Sequence, residues 1–253
     1  MSLLEVRDLS IRFGGVQALR QVSFEMEGGK VHAVIGPNGA GKTTLFNLLT
    51  GIYRPTEGMI TFAGQRIDGL APPSLAALGF ARTFQNLQVC MNMQALENVM
   101  VGAHRRLRHS IWQAALRLPS LRRSEAELRS EARDLMRFVG LDAYVEAPSG
   151  ALPYGALKRL EIARALAAHP RVLFLDEPAG GLNATETADL TSLLRRIADQ
   201  GVTVVLVEHD MKMVMRLCDH IVVLDYGRKL AEGSAAEVRT NPEVIAAYLG
   251  THA

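Results

Sequence analysis

Cysteine is scarce in this sequence, and the few cysteines form no pattern. Cys90 and Cys218 lie far apart, and neither belongs to a CxxC or Cys/His arrangement. Their spacing excludes a disulfide framework and a zinc site of the usual kind. A reducing cytoplasm is the compartment that fits such a chain best.

An excess of charge of one sign is also missing. The 253 residues include 28 basic and 26 acidic side chains, which leaves a formal net charge of +2. A strongly basic face would favour nucleic acid as a partner, and this balance gives no such indication. We therefore expect no nucleic-acid partner.

Long hydrophobic runs are absent as well. No apolar run approaches the roughly 20 residues that a membrane-spanning helix needs. The start, MSLLEVRDLS, lacks the basic and then apolar order of a signal peptide. We expect a soluble chain that can still sit on a membrane complex.

The stretch GPNGAGKTT at residues 36–44 carries the most specific functional pattern. It matches G-x-x-x-x-G-K-[ST], the phosphate-binding loop of many nucleotide-binding proteins. Its glycines let successive backbone N–H groups turn toward one anion, Lys42 can reach the β and γ phosphates, and Thr43 can ligate Mg²⁺. The nucleotide-binding candidates here are Gly36, Pro37, Asn38, Gly39, Ala40, Gly41, Lys42, Thr43 and Thr44.

Two adjacent carboxylates end the apolar run VLFLDEP at residues 172–178. In a parallel sheet the carboxyl ends of the strands gather the ligand-binding groups. Neighbouring residues at a strand end point in different directions, so Asp176 can hold Mg²⁺ while Glu177 polarises an attacking water. The sequence thus predicts an acidic pair facing the phosphate loop.

Two further polar residues are weaker candidates taken alone. His209 follows the strand-like run at residues 203–207, which places it at the same sheet edge and favours a γ-phosphate contact. Gln85 lies where the core gives way to a helical stretch, where its amide could reach both Mg²⁺ and a mobile element. The residues expected at the metal are Thr43, Gln85 and Asp176.

Hydrophobic periodicity predicts an α/β fold with a parallel sheet, an N-terminal antiparallel β subdomain and an inserted α-helical subdomain. The phosphate loop at residues 36–44 identifies the expected core as a P-loop NTPase core. We divide a single domain into residues 1–89, 90–150, 151–228 and 229–253. Within the insert, helices are expected over residues 95–118 and 124–141, separated at Pro119 and capped near Ser124.

Together these residues resemble the ATP-binding cassette (ABC) family. In that family two cassettes pack head to tail, and the signature helix of one presents its N-terminus to the γ-phosphate held by the other. The signature stretch here is LPYGALKRLEIARALAAHP at residues 152–170. The resemblance implies that ATP and Mg²⁺ bind between two cassettes and that ATP is hydrolysed there.

The resemblance also assigns roles position by position. Gln85 is similar to the Q-loop glutamine, Asp176 and Glu177 to the Walker B pair, and His209 to the switch histidine. Lys42 and His209 would stabilise charge on the transferring phosphoryl group. Phe13 resembles the aromatic residue that stacks on adenine, with Val16 beside it, and Pro153, Tyr154, Gly155 and Asn183 would face the nucleotide across the dimer.

Several stretches narrow the resemblance to the cassettes of importers for branched-chain amino acids and related solutes: FGGVQAL, RTFQN, LENVMVG, EHDMKMVM and VIAAYLG. It implies a second cassette, identical or different, two transmembrane permease subunits, and a periplasmic solute-binding protein that acts indirectly. The cassette would lie in the cytoplasm, on the inner face of the membrane. A cassette of a lipid or lipopolysaccharide exporter is the alternative, and a cassette ATPase acting on DNA or ribosomes is a third.

Two departures from the family pattern matter. The usual LSGGQ is LPYGA here, so the serine hydroxyl and the N–H at Pro153 are missing, and the D-loop aspartate is Asn183. Proline fits the first turn of a helix, so the helix should survive with Gly155 available to an anion. We hypothesise that the composite site using this signature is the weaker of two.

The helical insert is rich in arginine, with nine between residues 105 and 137. A solvated helix face with i to i+4 pairs, such as Glu125 with Arg129, explains this composition. Contact with anionic lipid head groups or acidic loops of membrane subunits stays open as an alternative.

Overall fold

The computed structural model describes residues 2–106 and 119–249, without the side chains of residues 119–123 and 249. The chain forms two compact units. The first is built from the residues up to Arg82 and from Arg171 onward, and the second is Thr83–Pro170.

An antiparallel sheet and a mostly parallel sheet make up the first unit. The antiparallel sheet has the order β2-β1-β4-β5 and uses β1 (Ser2–Phe13), β2 (Val16–Glu27), β4 (Glu57–Phe62) and β5 (Gln65–Arg66). The second sheet has the order β10-β9-β3-β8-β7-β6 and uses β3 (Val31–Ile35), β6 (Phe80–Arg82), β7 (Val172–Asp176), β8 (Thr203–Val207), β9 (His220–Asp225) and β10 (Arg228–Gly233).

Helices lie between these strands and after β10. They are α1 (Lys42–Leu49), α2 (Pro72–Ala77), α6 (Ala184–Asp199), α7 (Met211–Leu217), α8 (Ala235–Thr240) and α9 (Pro242–Leu249). Strands β9, β3, β8, β7 and β6 run parallel, and β10 pairs antiparallel with β9. The expected fold class, with its antiparallel N-terminal layer and parallel core, is confirmed.

The central strands of the parallel sheet are buried on both faces. Every residue of β3, β7 and β8 is buried, as near-continuous apolar runs in covered parallel strands require. Aromatic rings fill the space beside them: Phe46 meets Phe174 edge-on at 5.5 Å, and Phe80 stacks on Phe174 at 5.6 Å. This rigid core fixes the carboxyl ends of the strands, where the candidate side chains lie.

The second unit is helical in its described part. It contains α3 (Ala95–Gly102), α4 (Pro119–Phe138) and α5 (Tyr154–Leu166), with short 3-10 turns at His104–Arg106, Asp142–Tyr144 and Ser149–Ala151. Asn98 is fully buried and holds the loop before α3, because its amide binds both the N–H and the carbonyl of Cys90 and donates to Ser149 Oγ at 2.9 Å. The expected helical insertion is confirmed.

The helix boundaries in this unit differ from the expected ones. α3 ends at Gly102, where an added Cβ would lie 1.9 Å from the carbonyl oxygen of Arg164, so this close approach of two backbones demands glycine. α4 begins at Pro119 and not near Ser124, because proline is well suited to a first helical position. The expected helical residues 107–118 lie outside the described residues, as do the side chains of several of the insert's arginines.

Candidate functional site

The phosphate loop joins the buried end of β3 to α1, and two of its glycines are sterically required. A Cβ at Gly36 would lie 2.1 Å from the carbonyl oxygen of Leu224, and one at Gly41 would lie 2.7 Å from Leu19 Cδ2. Both glycines also have positive φ, at 151° and 99°. Surrounding backbone therefore fixes the path of the loop, and glycine is the residue that fits.

The N-terminus of α1 is open to an anion. Gly41 is its N-cap, no side chain of the described residues caps this end, and its first turn carries no acidic residue. The first N–H groups of a helix lack intrahelical acceptors and carry partial positive charge. Gly39 has φ of 79° with open space around it, so the loop can curve toward a ligand here.

Lys42 lies folded over its own loop. Its Nζ donates to the carbonyl oxygens of Gly36 at 2.7 Å and Pro37 at 2.9 Å, and the residue is 7% exposed. Burial lowers the pKa of Lys42, and the negative charge of Glu177 opposes that shift. The loop carbonyls thus hold a cation at the place where the sequence predicts phosphate contacts.

Asp176 ends β7 and is paired with an arginine whose side chain is 10% exposed. Arg82, the last residue of β6, reaches Asp176 Oδ2 at 3.1 Å and also donates to Asn47 Oδ1 at 2.8 Å and Thr50 Oγ1 at 2.7 Å. Burial lowers the pKa of Arg82, while Asp176 acts in the opposite direction. This arginine joins β6, β7 and α1, and it was not predicted from the sequence.

Glu177 and His209 meet at the carboxyl ends of neighbouring strands. His209 Nε2 lies 2.9 Å from Glu177 Oε1. Glu177 has φ of 48°, a left-handed conformation that is strained for a non-glycine residue, and its N–H donates to the carbonyl of Val207 at 2.9 Å. The predicted difference in direction between Asp176 and Glu177 is present, since one carboxylate binds Arg82 and the other binds His209.

A buried carboxylate next to His209 was also missed. Glu208 is 4% exposed and accepts three backbone N–H groups, from Ala179 at 2.7 Å, His209 at 2.9 Å and Asp210 at 3.3 Å. The signal available in the sequence was a charged residue directly after the apolar run VVLV of β8, where burial of a carboxylate is unfavourable without partners.

Phe13 and Val16 lie at the hairpin that joins β1 to β2. They pair across the strands and are 45% and 69% exposed. The ring of Phe13 meets the edge of Tyr53 at 5.1 Å between centroids. Phe13 therefore has a supported ring with part of its surface in solvent, which base stacking requires.

The remaining candidates lie in the second unit and at the start of α6. Gln85 is exposed in the irregular segment that follows β6. Pro153 is the N-cap of α5 and so precedes the first helical turn, which corrects its expected position; Pro153 and Tyr154 are exposed and Gly155 is buried. Asn183 caps α6, since its side chain accepts the N–H of Glu186 at 3.0 Å.

Two family models match the chain. The model described as ABC transporter matches residues 19–180, and the model described as branched-chain amino acid ATP-binding cassette transporter matches residues 228–253. The first match covers the phosphate loop and the acidic pair. The second covers β10, α8 and α9.

Similar proteins match along nearly the full length. The chain is 46% identical to the high-affinity branched-chain amino acid transport ATP-binding protein BraF of Pseudomonas aeruginosa over 98% of both chains. It is 42% and 41% identical to the LivG proteins of the same description from Salmonella typhimurium and Escherichia coli K12, again over 98% of each chain.

Solved structures agree with the fold. A nucleotide-free ATP-binding cassette from an ABC transporter superposes with a TM-score of 0.85 at 30% identity, covering 98% of this chain and 99% of the other. The ADP conformation of MJ1267, an ATP-binding cassette of an ABC transporter, gives 0.86 at 29% identity over 99% of each. The chain therefore belongs to the ABC transporter family of ATPases, within its group of branched-chain amino acid cassettes.

Proposed function

We propose that this chain is the ATP-binding and ATP-hydrolysing subunit of an ABC importer for branched-chain amino acids or a related small solute. The observation that carries the proposal is the Glu177–His209 pair beside a phosphate loop shaped by Gly36 and Gly41. The full-length similarity to BraF and LivG, whose names describe branched-chain amino acid transport, supports the solute class. It also favours import over the exporter and the non-transport alternatives.

The chain's own groups divide the work on ATP. The loop N–H groups and the open end of α1 bind the phosphates, and Lys42 exchanges its two carbonyl partners for phosphate oxygens. Glu177 accepts a proton from the attacking water and polarises it. His209 orients Glu177 and stabilises charge that develops on the γ-phosphoryl group.

The loop and the end of β7 also fit a magnesium ion. Thr43 presents an exposed hydroxyl in the first turn of α1, and Asp176 presents a carboxylate, both hard oxygen ligands of the kind Mg²⁺ prefers. Within the described residues, no group of three or more His, Cys, Asp or Glu side chains could hold a metal ion. When bound, Mg²⁺ would neutralise phosphate charge.

The proposed assembly places the chain on the inner face of the membrane, in the cytoplasm. In the described part of the chain, no helix combines the length and apolar character needed to cross a bilayer. In the proposed assembly, two transmembrane permease subunits would provide the path for the solute. A second cassette, identical or different, would supply the signature residues that face Lys42, while Pro153, Tyr154, Gly155 and Asn183 would serve the partner's nucleotide. Phe13 and Val16 would contact adenine, and Gln85 would report site occupancy to the permease.

Replacing the proposed base tests the catalytic half of this proposal. Glu177→Gln should lower the ATP turnover rate by about 10² to 10⁴, because the amide cannot accept the proton, while ATP still raises the melting temperature. Glu25→Gln is the matched control, because Glu25 is an exposed residue of β2 in the same unit. This variant should hydrolyse ATP normally. Normal turnover by Glu177→Gln would show that another group is the base.

Uptake by cells that encode this protein tests the transport half. Cells carrying only the Glu177→Gln allele should lose uptake of radiolabelled leucine, isoleucine or valine, whereas the Glu25→Gln allele should support it. Uptake of an unrelated sugar serves as the internal control. Unchanged amino-acid uptake, with turnover abolished in the purified complex, would reject branched-chain amino acids as the solute class.

A further inference from the structure

Glu208 is a buried carboxylate for which the proposed chemistry gives no role. It directly follows β8, and 4% of its surface is exposed. Burial of a carboxylate is unfavourable unless hydrogen bonds replace its water, and three backbone N–H groups do so here. Losing these hydrogen bonds would destabilise the folded protein, because the buried carboxylate of Glu208 would then have no partner in place of water.

The three N–H groups come from two different loops. Oε1 accepts from Ala179, two residues after Glu177 in the turn that follows β7. Oε2 accepts from His209 and Asp210 in the turn that follows β8. One carboxylate thus fastens the loop that carries Glu177 to the loop that carries His209.

The loop that carries Glu177 needs such restraining hydrogen bonds because the backbone of Glu177 is strained. Its left-handed φ of 48° is maintained by neighbouring contacts, since its N–H donates to Val207 and its carbonyl accepts the N–H of Gly180 at 3.1 Å. Glu208 adds a third tie through Ala179, which lies between Glu177 and Gly180 in this same turn. Without that tie the turn has fewer contacts to hold Glu177 toward His209.

We propose that Glu208 is a positioning residue for the hydrolysis reaction, which holds Glu177 and His209 in register through the backbone of their two loops. The inference rests on the proposed function, because the loss it anticipates is a loss of ATP turnover. Glu208 does not touch the reacting atoms in this role. A displacement of a reacting group by about 1 Å can cost about 10²-fold in rate, so two loops that shift slightly suffice.

Glu208→Gln is the test variant, because it keeps the size of the side chain but turns an NH₂ group toward one of the N–H donors. We expect kcat for ATP to fall roughly tenfold or more, with KM for ATP and the ATP-induced rise in melting temperature within about twofold of wild type. Thr203→Val is the matched control. Thr203 is 1% exposed in the same unit and accepts the N–H of Gly29 at 2.9 Å, far along β8 from the site. It should lose stability while its kcat stays unchanged.

A double-mutant cycle separates positioning from general loss of stability. In a His209→Ala background, Glu208→Gln should lower single-turnover hydrolysis much less than it does in wild type, because the pair it positions is already broken. Equal effects in both backgrounds, or a kcat loss matched by Thr203→Val, would overturn the inference. Glu208→Asp, whose shorter side chain cannot span both loops, replaces the Gln variant if that protein does not fold. Absence of ATP turnover in the wild-type complex would instead reject the proposed function itself.

Discussion

Residues beside the phosphate loop carry charged side chains that are largely buried and are stabilised by ion pairs and hydrogen bonds. Arg82 and Asp176 are the clearest case, with side chains 10% and 9% exposed and a contact of 3.1 Å. Asn47 and Thr50 accept from the same guanidinium group, so the arginine is fixed from α1 as well as from β7. The carboxylate keeps its direction because its partner cannot move independently.

Arg82→Met is expected to destabilise the protein by about 3 to 5 kcal/mol, because Asp176 would keep a buried charge without its partner. Arg82→Lys should be intermediate, since the ammonium group keeps the charge but cannot reach three acceptors as the planar guanidinium does. The measurement is the free energy of unfolding in urea. Arg66→Met is the control: the Arg66 side chain is exposed and pairs with Asp68, and its loss should change stability much less than the loss of Arg82. A loss no larger than that of the control would show that Arg82 does not stabilise Asp176.

Helix N-termini differ in a way that follows their proposed roles. Asn183 caps α6, Asp210 caps α7 and Ser234 caps α8, each with a side-chain acceptor. The starts of α1 at Gly41 and α5 at Pro153 receive no such acceptor from the described residues. α2 also lacks one, but its first positions are prolines, which have no N–H to satisfy. The two helices proposed to present their N-termini to phosphate, α1 and α5, thus differ in this respect from α6, α7 and α8.

Pro153→Ser should raise the steady-state ATPase rate of the assembled complex by about two- to tenfold, because it restores one N–H and one hydroxyl at the end of α5, equal to roughly one hydrogen bond. Pro153→Ala restores the N–H alone and separates the two contributions. The rate is measured on complexes shown to contain every subunit. An unchanged rate for both variants in intact complexes would contradict the hypothesis that this signature makes the weaker site.

At the scale of the whole molecule, stability should depend on pH through a histidine remote from the nucleotide. His32 in β3 is 2% exposed, its Nε2–H donates to the carbonyl of Glu27 at 2.9 Å, and its Nδ1 has no hydrogen-bond partner among the described residues. Burial lowers its pKa, and the backbone carbonyl of Glu27 opposes this; His220, Asp219 and Lys30 also act on it. The charged ring is therefore less stable in the folded protein than in the unfolded chain.

The sign of this effect follows directly. A lowered pKa means that the unfolded chain binds the proton more readily, so stability is complete above the ordinary histidine pKa of about 6.5 and is lost as pH falls below it. His32→Gln, which can still donate to Glu27, should show a smaller loss between pH 7 and pH 5 in urea unfolding. Equal losses in both proteins would exclude His32 as the titrating group. Carboxylates contribute equally to the pH dependence of stability in both proteins, so their effect cancels in the difference between wild type and His32→Gln.

The sequence predicted the parts of the site that rest on strong patterns. Continuous apolar strands such as β7 and β8, each ending in acidic or imidazole side chains, place Asp176, Glu177 and His209 at one edge of the sheet. The role of Arg82 was not predicted, because β6 has only three residues and shows no hydrophobic periodicity. Glu208 escaped because its partners are backbone N–H groups of two loops, and no sequence pattern encodes them.

Helix ends were predicted less well for a physical reason. Gly102 lies within an apolar pattern that would continue as a helix, yet close packing against Arg164 determines its identity. Pro119 was interpreted as a break, although proline is also a favourable first residue of a helix. In both cases one residue type serves two purposes, and tertiary contacts decide between them.

The left-handed backbone of Glu177 has a consequence for anyone who engineers this protein. A non-glycine residue in this conformation costs about 1 to 3 kcal/mol, and glycine would relieve that cost without rebuilding the turn. Variant libraries screened only for heat resistance will therefore enrich glycine or asparagine at this position and discard the proposed base. A selection for a more durable protein must couple survival to turnover, since durability and chemistry make opposite demands on this residue.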